Sequence, residues 1–154
     1  MSGTKFVYVT YIRSDMQKVF DALRLPEFTR RYWMGTTQQV SEWKKGAAWA
    51  IHVPDGRKFD DGEVLEIDPP RKLVLTWRHL NNPALTAEGF SRLTYELEPQ
   101  GSLVKLTLTH QIDVENSKLI EAVSGGWPGV MAGLKTLLET GVPIDEFTKW
   151  PVGV

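Results

Sequence analysis

The chain has 154 residues, of which 42% are hydrophobic and 24% charged, and this is the composition of an ordinary globular domain. Its 18 basic and 19 acidic residues give a net charge of −1, which excludes a general electrostatic attraction to nucleic acid. The absence of cysteine excludes disulfides, thiolate catalysis and zinc–thiolate sites.

The first predicted element is a strand over residues 5–12, where apolar and polar positions alternate. This start of the chain lacks the apolar region of a signal peptide. No later segment approaches the roughly 20 consecutive apolar residues of a membrane span. We therefore expect a cytoplasmic protein without membrane insertion.

Two short helices are predicted next. Residues 15–23 favour a helix with Ser14 as its N-cap, because four apolar residues share one face: Met16, Val19, Phe20 and Leu23. Pro26 ends this helix, and residues 27–32 predict a second one.

The hydrophobic period then changes to two, which indicates six further strands. They are predicted over residues 37–40, 47–53, 58–67, 73–79, 91–98 and 103–112. Turn residues at 54–56 and 99–101 predict antiparallel hairpins between neighbouring strands. The charge pairs Asp60-Asp61 and Lys44-Lys45 are expected in solvated turns.

The longest helical pattern begins near Asn116 or Ser117 and runs to Thr140, with Gly141 as its C-cap. One broad apolar face is formed by Trp127, Val130, Met131, Leu134, Leu137 and Leu138. Pro128, which follows Gly125 and Gly126, predicts a kink or restart of the helix there. Close packing of the glycines against a strand is the simpler explanation for this break, and a gate at a cavity mouth is the functional one.

This order of elements predicts an α+β fold formed by one domain over residues 1–154. Seven antiparallel strands cannot lie flat under one long helix, so the sheet is expected to curve around that helix and to enclose a cavity.

Several stretches of the chain resemble the START-like or SRPBCC superfamily, which has the helix-grip fold. The matching residues are 19–23, Tyr32-Trp33, 62–77 and the block that begins Gly125-Gly126-Trp127. Within this superfamily the chain is most similar to the homologues of the heat-shock-protein-90 ATPase activator. The resemblance implies binding of a ligand such as a lipid, sterol, polyketide or hormone. The chain lacks the preceding region that multidomain eukaryotic members use on the chaperone, so we expect it not to stimulate the chaperone ATPase strongly.

Strand and helix parity predict which residues line the cavity. The candidates are Trp33, Trp49, Leu75, Trp77, His79, Leu93, Tyr95, Leu108, His110, Trp127, Met131 and Leu134. The alternative is that these are core residues whose polar atoms are all hydrogen-bonded.

Neither a metal nor another cofactor is expected, because His52, His79 and His110 lack the close spacing of metal ligands. The serines lack the setting of a hydrolase nucleophile.

Three functions remain open. The first is binding of a small, largely apolar molecule, and the sequence favours it over catalysis. The second is a polyketide-cyclase or aromatase type of enzyme, in which His79 or His110 moves protons with Tyr95 or Glu66. The third is a domain that interacts with a chaperone. A homodimer is also left open.

Overall fold

The computed structural model describes residues 3–151 and 153–154. Its strands are β1 (Thr4–Ile12), β2 (Thr37–Val40), β3 (Ala48–His52), β4 (Lys58–Asp68), β5 (Lys72–His79), β6 (Ser91–Gln100) and β7 (Leu103–Ile112). Its α-helices are α1 (Met16–Arg24), α2 (Pro26–Tyr32), α3 (Pro83–Thr86) and α4 (Lys118–Thr140), and a 3₁₀ turn follows at Asp145–Phe147. No helix in the described part of the chain is long and apolar enough to cross a membrane.

The seven strands form one antiparallel sheet in the order β1-β7-β6-β5-β4-β3-β2. The predicted α+β class is confirmed, as are the seven strands, the two short helices after β1 and the long C-terminal helix on the sheet. The pairing shifts register between Ile51 and His52 on β3 and between Val64 and Glu66 on β4. Such irregularities bend a strand and strengthen its twist.

The core lies between one face of the sheet and α4. Alternate residues of β7 are buried as the period of two predicts, beginning at Val104 and ending at Ile112. The helix buries its own apolar face against them with Trp127, Val130, Met131, Leu134, Leu137 and Leu138. Each such side chain contributes roughly 1.5–3 kcal/mol when it is fully buried, so this contact contributes substantially to the stability of the fold.

Gly62 allows β4 and β5 to approach each other closely. Nε1 of Trp49 donates a 2.9 Å hydrogen bond to the carbonyl oxygen of Thr76. A Cβ atom on Gly62 would lie 1.9 Å from that same oxygen. Any larger residue at position 62 would therefore push the two strands apart and break the bond.

The N-cap of α1 is Asp15, so the prediction of Ser14 was wrong by one residue. The Asp15 side chain accepts a 2.8 Å hydrogen bond from the backbone nitrogen of Lys18. A carboxylate at this position also interacts favourably with the positive end of the helix dipole.

Helix α4 is continuous through Pro128, so the predicted restart of the helix was wrong. Its ends agree with the sequence, because Ser117 is the N-cap and Gly141 is the C-cap, in a left-handed conformation with φ of 77°. The proline costs one backbone hydrogen bond. Buried residues lie on both sides of it, from Leu119 to Leu138, and their packing holds the two halves in one helix.

The explanation that Gly125 and Gly126 pack closely against a strand was also wrong. A Cβ atom on Gly125 or Gly126 would meet no atom within 4 Å. The tightly packed glycine of α4 is Gly133, where a Cβ would lie 3.0 Å from the carbonyl oxygen of Tyr32 and 3.1 Å from the ring of Phe147.

Candidate functional site

A cavity of about 240 Å³ lies between the first half of α4 and the facing ends of β4 and β5. The helix supplies one wall with Leu119, Ala122, Val123, Gly126, Trp127 and Val130. The strands and the connecting segments supply the rest with Trp33, Met34, Phe59, Asp60, Trp77, His79 and Leu85. Asp60 and His79 are thus the only ionisable side chains among the described residues that line it.

Larger depressions, of about 340 and 700 Å³, lie on the outer face of the sheet around Thr76 and Phe90. Neither is covered by a helix, and their linings include the charged residues Asp61, Glu63 and Arg92. The cavity beside α4 is lined mainly by apolar and aromatic side chains with two polar groups, as ligand pockets usually are, so it is the better candidate site.

Three indole rings form the aromatic part of the cavity lining. The ring centroids of Trp33 and Trp127 are 5.2 Å apart, those of Trp77 and Trp127 5.7 Å, and those of Trp33 and Trp77 6.0 Å. These distances are typical of interacting aromatic pairs. The rings come from the segment after α2, from β5 and from α4, so they hold three elements together at the cavity.

Asp60 and His79 form the polar end of the cavity. They are opposite each other in the pairing of β4 with β5. The Asp60 Oδ1 atom accepts a 3.0 Å hydrogen bond from Nε1 of Trp77 and lies 2.8 Å from Nδ1 of His79. An ionised carboxylate only accepts hydrogen bonds, so Nδ1 of His79 carries the proton in this pair. In the neutral imidazole, Nε2 then presents a lone pair and has no protein partner among the described residues.

Burial sets the acidity of Asp60, which is 6% exposed. It raises the pKa of the carboxyl, and the hydrogen bonds from His79 and Trp77 reverse only part of this increase. The neighbouring carboxylate of Asp61 also raises the pKa. Asp60 is therefore a carboxylate whose charge is incompletely compensated by the protein.

The prediction that Asp60 and Asp61 lie in a solvated turn was wrong. Both are within β4, and Asp61 on the outer face accepts hydrogen bonds of 3.1 and 3.0 Å from the guanidinium of Arg78. A signal for Asp60 was present in the sequence, because it shares strand parity with Val64, which is fully buried.

His110 was predicted to line the cavity, but it lies in the core behind Trp127. Nε1 of Trp127 donates a 3.1 Å hydrogen bond to Nδ1 of His110, and Nε2 of His110 lies 2.8 Å from Oγ of Ser91. Ser91 donates in turn to the carbonyl oxygen of Trp77 over 2.9 Å. An indole nitrogen only donates, so the proton of His110 is on Nε2.

Both nitrogens of His110 are therefore occupied, and burial lowers its pKa from 6.5 to about 3. The residue is neutral at physiological pH and has no free lone pair. It has a structural role and cannot exchange protons with a ligand in the cavity.

Of the twelve candidate residues, four line this cavity, namely Trp33, Trp77, His79 and Trp127. The other eight are buried in the core outside its lining: Trp49, Leu75, Leu93, Tyr95, Leu108, His110, Met131 and Leu134. The second half of α4 packs directly on the sheet, which leaves no space around Met131 and Leu134. The cavity is accordingly confined to the first half of the helix.

The proton-transfer partners suggested for His79 do not reach it. Glu66 is exposed and pairs with Lys72 at 3.5 Å. Tyr95 is buried in the core, which raises its pKa far above 10. The partner of His79 is Asp60, which was missed from the sequence. Eight other lining residues were also missed, namely Met34, Phe59, Leu85, Leu119, Ala122, Val123, Gly126 and Val130.

The segment with α3 closes one side of the cavity. Leu85 contributes to the lining, and Oγ1 of Thr86 donates a 2.6 Å hydrogen bond to the carbonyl oxygen of His79. Glu88 accepts hydrogen bonds from Oγ of Ser117 at 2.5 Å and from the backbone nitrogen of Lys118 at 2.8 Å. The segment is thus fixed both to β5 and to the start of α4.

No group of three His, Asp or Glu side chains converges to hold a metal ion within the residues that the structure describes. The chemistry available at the cavity is therefore that of one carboxylate, one imidazole and aromatic surface.

Comparisons with known proteins agree with this architecture. A family model described as Activator of Hsp90 ATPase homolog 1-like protein matches residues 13–139. Among curated protein sequences, none matches the chain significantly.

Similar solved structures come from several bacteria. Protein MLL2253 from Mesorhizobium loti is 23% identical with a TM-score of 0.73, over 88% of this chain and 96% of that one. The Aha1 dimer from Colwellia psychrerythraea is 19% identical with a TM-score of 0.68, over 90% of this chain and 98% of that one. CalU16 from Micromonospora echinospora is 19% identical with a TM-score of 0.69, over 90% of this chain and 78% of that one.

At these identities the solved structures establish the fold alone, and the family model establishes the relationship that the sequence motifs indicated. The chain belongs to the family of Activator of Hsp90 ATPase homolog 1-like proteins, within the helix-grip superfamily.

Proposed function

We propose that the chain binds one small, largely apolar molecule in the cavity between α4 and the ends of β4 and β5. The observation that carries this proposal is the cavity itself, whose walls are apolar except at Asp60 and His79. Domains of the helix-grip superfamily are typically associated with ligand binding, and the presence of this cavity agrees with that association.

The size of the cavity limits the ligand. Pockets for drug-sized molecules usually measure about 300–1,000 Å³. At about 240 Å³ the cavity lies just below that range. A ligand with one ring system fits this space.

Small residues of α4 leave the cavity open to solvent. Ala122 and Gly126 belong to its lining and are both exposed, so no bulky side chain covers this side of the cavity. A ligand can therefore enter beside Trp127 without displacing a large side chain, which supports a binding role.

Native mass spectrometry of the protein purified from its own cell tests the proposal. We expect a co-purifying small molecule in the wild type and its loss in Ala122→Phe, because the new ring occupies the cavity. Ala132→Phe is the matched control, since Ala132 is an equally exposed alanine of α4 outside the cavity lining. Absence of any ligand in the wild type, or equal retention in both variants, would contradict the proposal.

A second candidate function is an enzyme that uses the same cavity. It is favoured by the pair of Asp60 and His79, in which the carboxylate fixes the imidazole and leaves Nε2 for proton transfer. The ligand recovered from the cell distinguishes the two functions. An enzyme converts it, and the His79→Gln variant does not, whereas a binding protein returns it unchanged. The interaction with a chaperone stays a prediction.

A further inference from the structure

We infer that the ligand of this cavity carries a protonated amine, which the carboxylate of Asp60 binds beside the indole rings of Trp33, Trp77 and Trp127. This inference rests on the proposed binding function and names the chemical class of the ligand. The ligand is a small amine with an apolar body.

The first argument is the unused hydrogen-bonding capacity of Asp60. Its Oδ1 atom accepts from both Trp77 and His79, while Oδ2 has no protein partner in the described part of the chain. An ionised carboxylate oxygen accepts hydrogen bonds, and Oδ2 is not among the fully buried atoms, so it is free to accept one from a donor on a ligand in the cavity. An ammonium group is the strongest such donor, because its hydrogen bond to a carboxylate is charge-assisted.

The second argument is the distribution of positive charge around the cavity. No lysine or arginine is found among the described residues that line it. The nearby cations on these strands are engaged by Asp61, which lies 3.0 Å from Nη2 of Arg78 and 3.6 Å from Nζ of Lys58. Asp60 therefore depends on His79 and a ligand for charge compensation.

The third argument is the aromatic lining. A cation within about 6 Å of an indole centroid is attracted by the negative face of the ring, and tryptophan is the best of the aromatic residues in this role. Phe59 lies beside the polar end as well, with its ring centroid 4.7 Å from that of His79. An anionic ligand would instead be repelled by Asp60, because like charges at close range destabilise each other.

A competing explanation is that the cavity has no preference for a charged ligand, and it depends on the protonation state of His79. A neutral imidazole that donates through Nδ1 leaves the pair with a charge of −1, and the cavity then selects a cation. A doubly protonated imidazole neutralises Asp60, and the cavity then has no preference for a charged ligand. Comparison of probes with the same body and different charge separates these two cases.

The probes are 2-phenylethylamine, 2-phenylethanol and 3-phenylpropionate, each titrated into the full chain at pH 7 and constant salt. They contain no indole, so the fluorescence of the cavity tryptophans reports binding, and calorimetry confirms the affinity. We expect the amine to bind at least about tenfold more tightly than the alcohol, which corresponds to one charge-assisted hydrogen bond. The carboxylate probe is expected to bind more weakly than the alcohol.

Two variants assign the preference to one carboxylate. Asp60→Asn keeps the size of the side chain and removes its charge, so the affinity ratio of amine to alcohol should fall to about one. Glu63→Gln is the matched control, because Glu63 is an exposed acid of the same strand outside the cavity lining. It should keep the wild-type ratio. If Asp60→Asn does not fold, the relative affinities of the three probes for the wild type still test the amine inference.

The outcomes separate the inference from the proposed function. Equal or tighter binding of the alcohol or the carboxylate probe, or an unchanged ratio in Asp60→Asn, overturns the amine inference and leaves a binding protein. If no probe binds, a co-purifying amine supports the inference and a co-purifying neutral or acidic ligand overturns it. If no probe binds and no ligand co-purifies, both proposals are wrong.

Discussion

Nε1 of Trp127 on α4 donates a hydrogen bond of 3.1 Å to Nδ1 of His110 on β7. Trp127 lines the cavity and His110 does not, so this bond fixes the ring of a wall residue from behind. The bond uses the single donor of the indole and sets the tautomer of the imidazole. It continues through Ser91 to the backbone of β5, which supplies Trp77, a second ring of the lining.

Loss of the donor in Trp127→Phe should destabilise the protein. The change leaves Nδ1 of His110 buried without a partner, and we expect a decrease of about 1–3 kcal/mol in the free energy of unfolding, plus the cost of the smaller ring. Urea denaturation measures it. Trp150→Phe is the control, because Nε1 of Trp150 bonds only the exposed carbonyl oxygen of Val154. Equal effects of the two substitutions would show that the bond to His110 contributes nothing.

The buried imidazole also predicts a pH dependence of stability. Burial lowers the pKa of His110 from 6.5 to about 3. The neutral imidazole therefore contributes fully to the free energy of unfolding above pH 6.5, and this contribution is lost as the pH falls toward 3. In that window the unfolded chain binds a proton that the folded chain does not. Between pH 6.5 and 4.5 this amounts to about 2 kcal/mol.

The His110→Gln variant isolates this effect, because Asp60 acts in the opposite direction. Burial raises the pKa of Asp60, so the folded state binds a proton more readily than the unfolded chain there. We expect urea denaturation of the wild type to show a steeper loss of stability between pH 6.5 and 4.5 than that of the variant. Parallel curves for the two proteins would refute the neutral, buried state of His110.

Two glycines of α4 should respond oppositely to alanine. Gly125→Ala should raise the free energy of unfolding by about 0.5–1 kcal/mol, because a Cβ meets no atom within 4 Å and alanine favours the helix. Gly133→Ala should lower it, because the Cβ would lie 3.0 Å from the carbonyl oxygen of Tyr32. Thermal unfolding of both variants checks this. Destabilisation by Gly125→Ala would indicate that the helix is not continuous there.

Glu88→Gln should loosen the segment that closes the cavity. Burial of Glu88 tends to raise its pKa, but hydrogen bonds from Ser117, Lys118 and Leu119 outweigh this and place it below the usual range. These hydrogen bonds stabilise the folded state at pH values above the usual pKa of a glutamate. The stabilisation is lost as the pH falls through the lowered pKa of Glu88.

Amide hydrogen exchange measures this loosening. The amides of Lys118 and Leu119 should exchange faster in Glu88→Gln than in the wild type. Glu121→Gln serves as the control, since Glu121 is an exposed acid in the first turn of α4 without such contacts. Unchanged exchange in Glu88→Gln would show that the segment is held by α3 and Thr86 alone.

The sequence by itself determined the order and type of the elements. Alternation on β7 and the period of α4 are local patterns, and burial of one face against one layer is enough to produce them. The C-cap of α4 followed from Gly141 for the same reason, because capping depends on residues within one turn, and the start of the helix was predicted to lie at Asn116 or Ser117. The inward position of Trp77 and His79 on β5 also followed from parity.

Only the tertiary structure decided which polar groups meet. Counted from the pairing of Asp68 with Lys72, a regular register would place Asp61 opposite His79. The register shift between Val64 and Glu66 moves the pairing by one residue, so that Asp60 takes this place. A shift of one residue changes which residues are opposite each other on the two strands, and no local pattern in the sequence specifies where such a shift occurs. The continuity of α4 through Pro128 was decided in the same way, because packing of both halves against other elements outweighs a local helix-breaking preference.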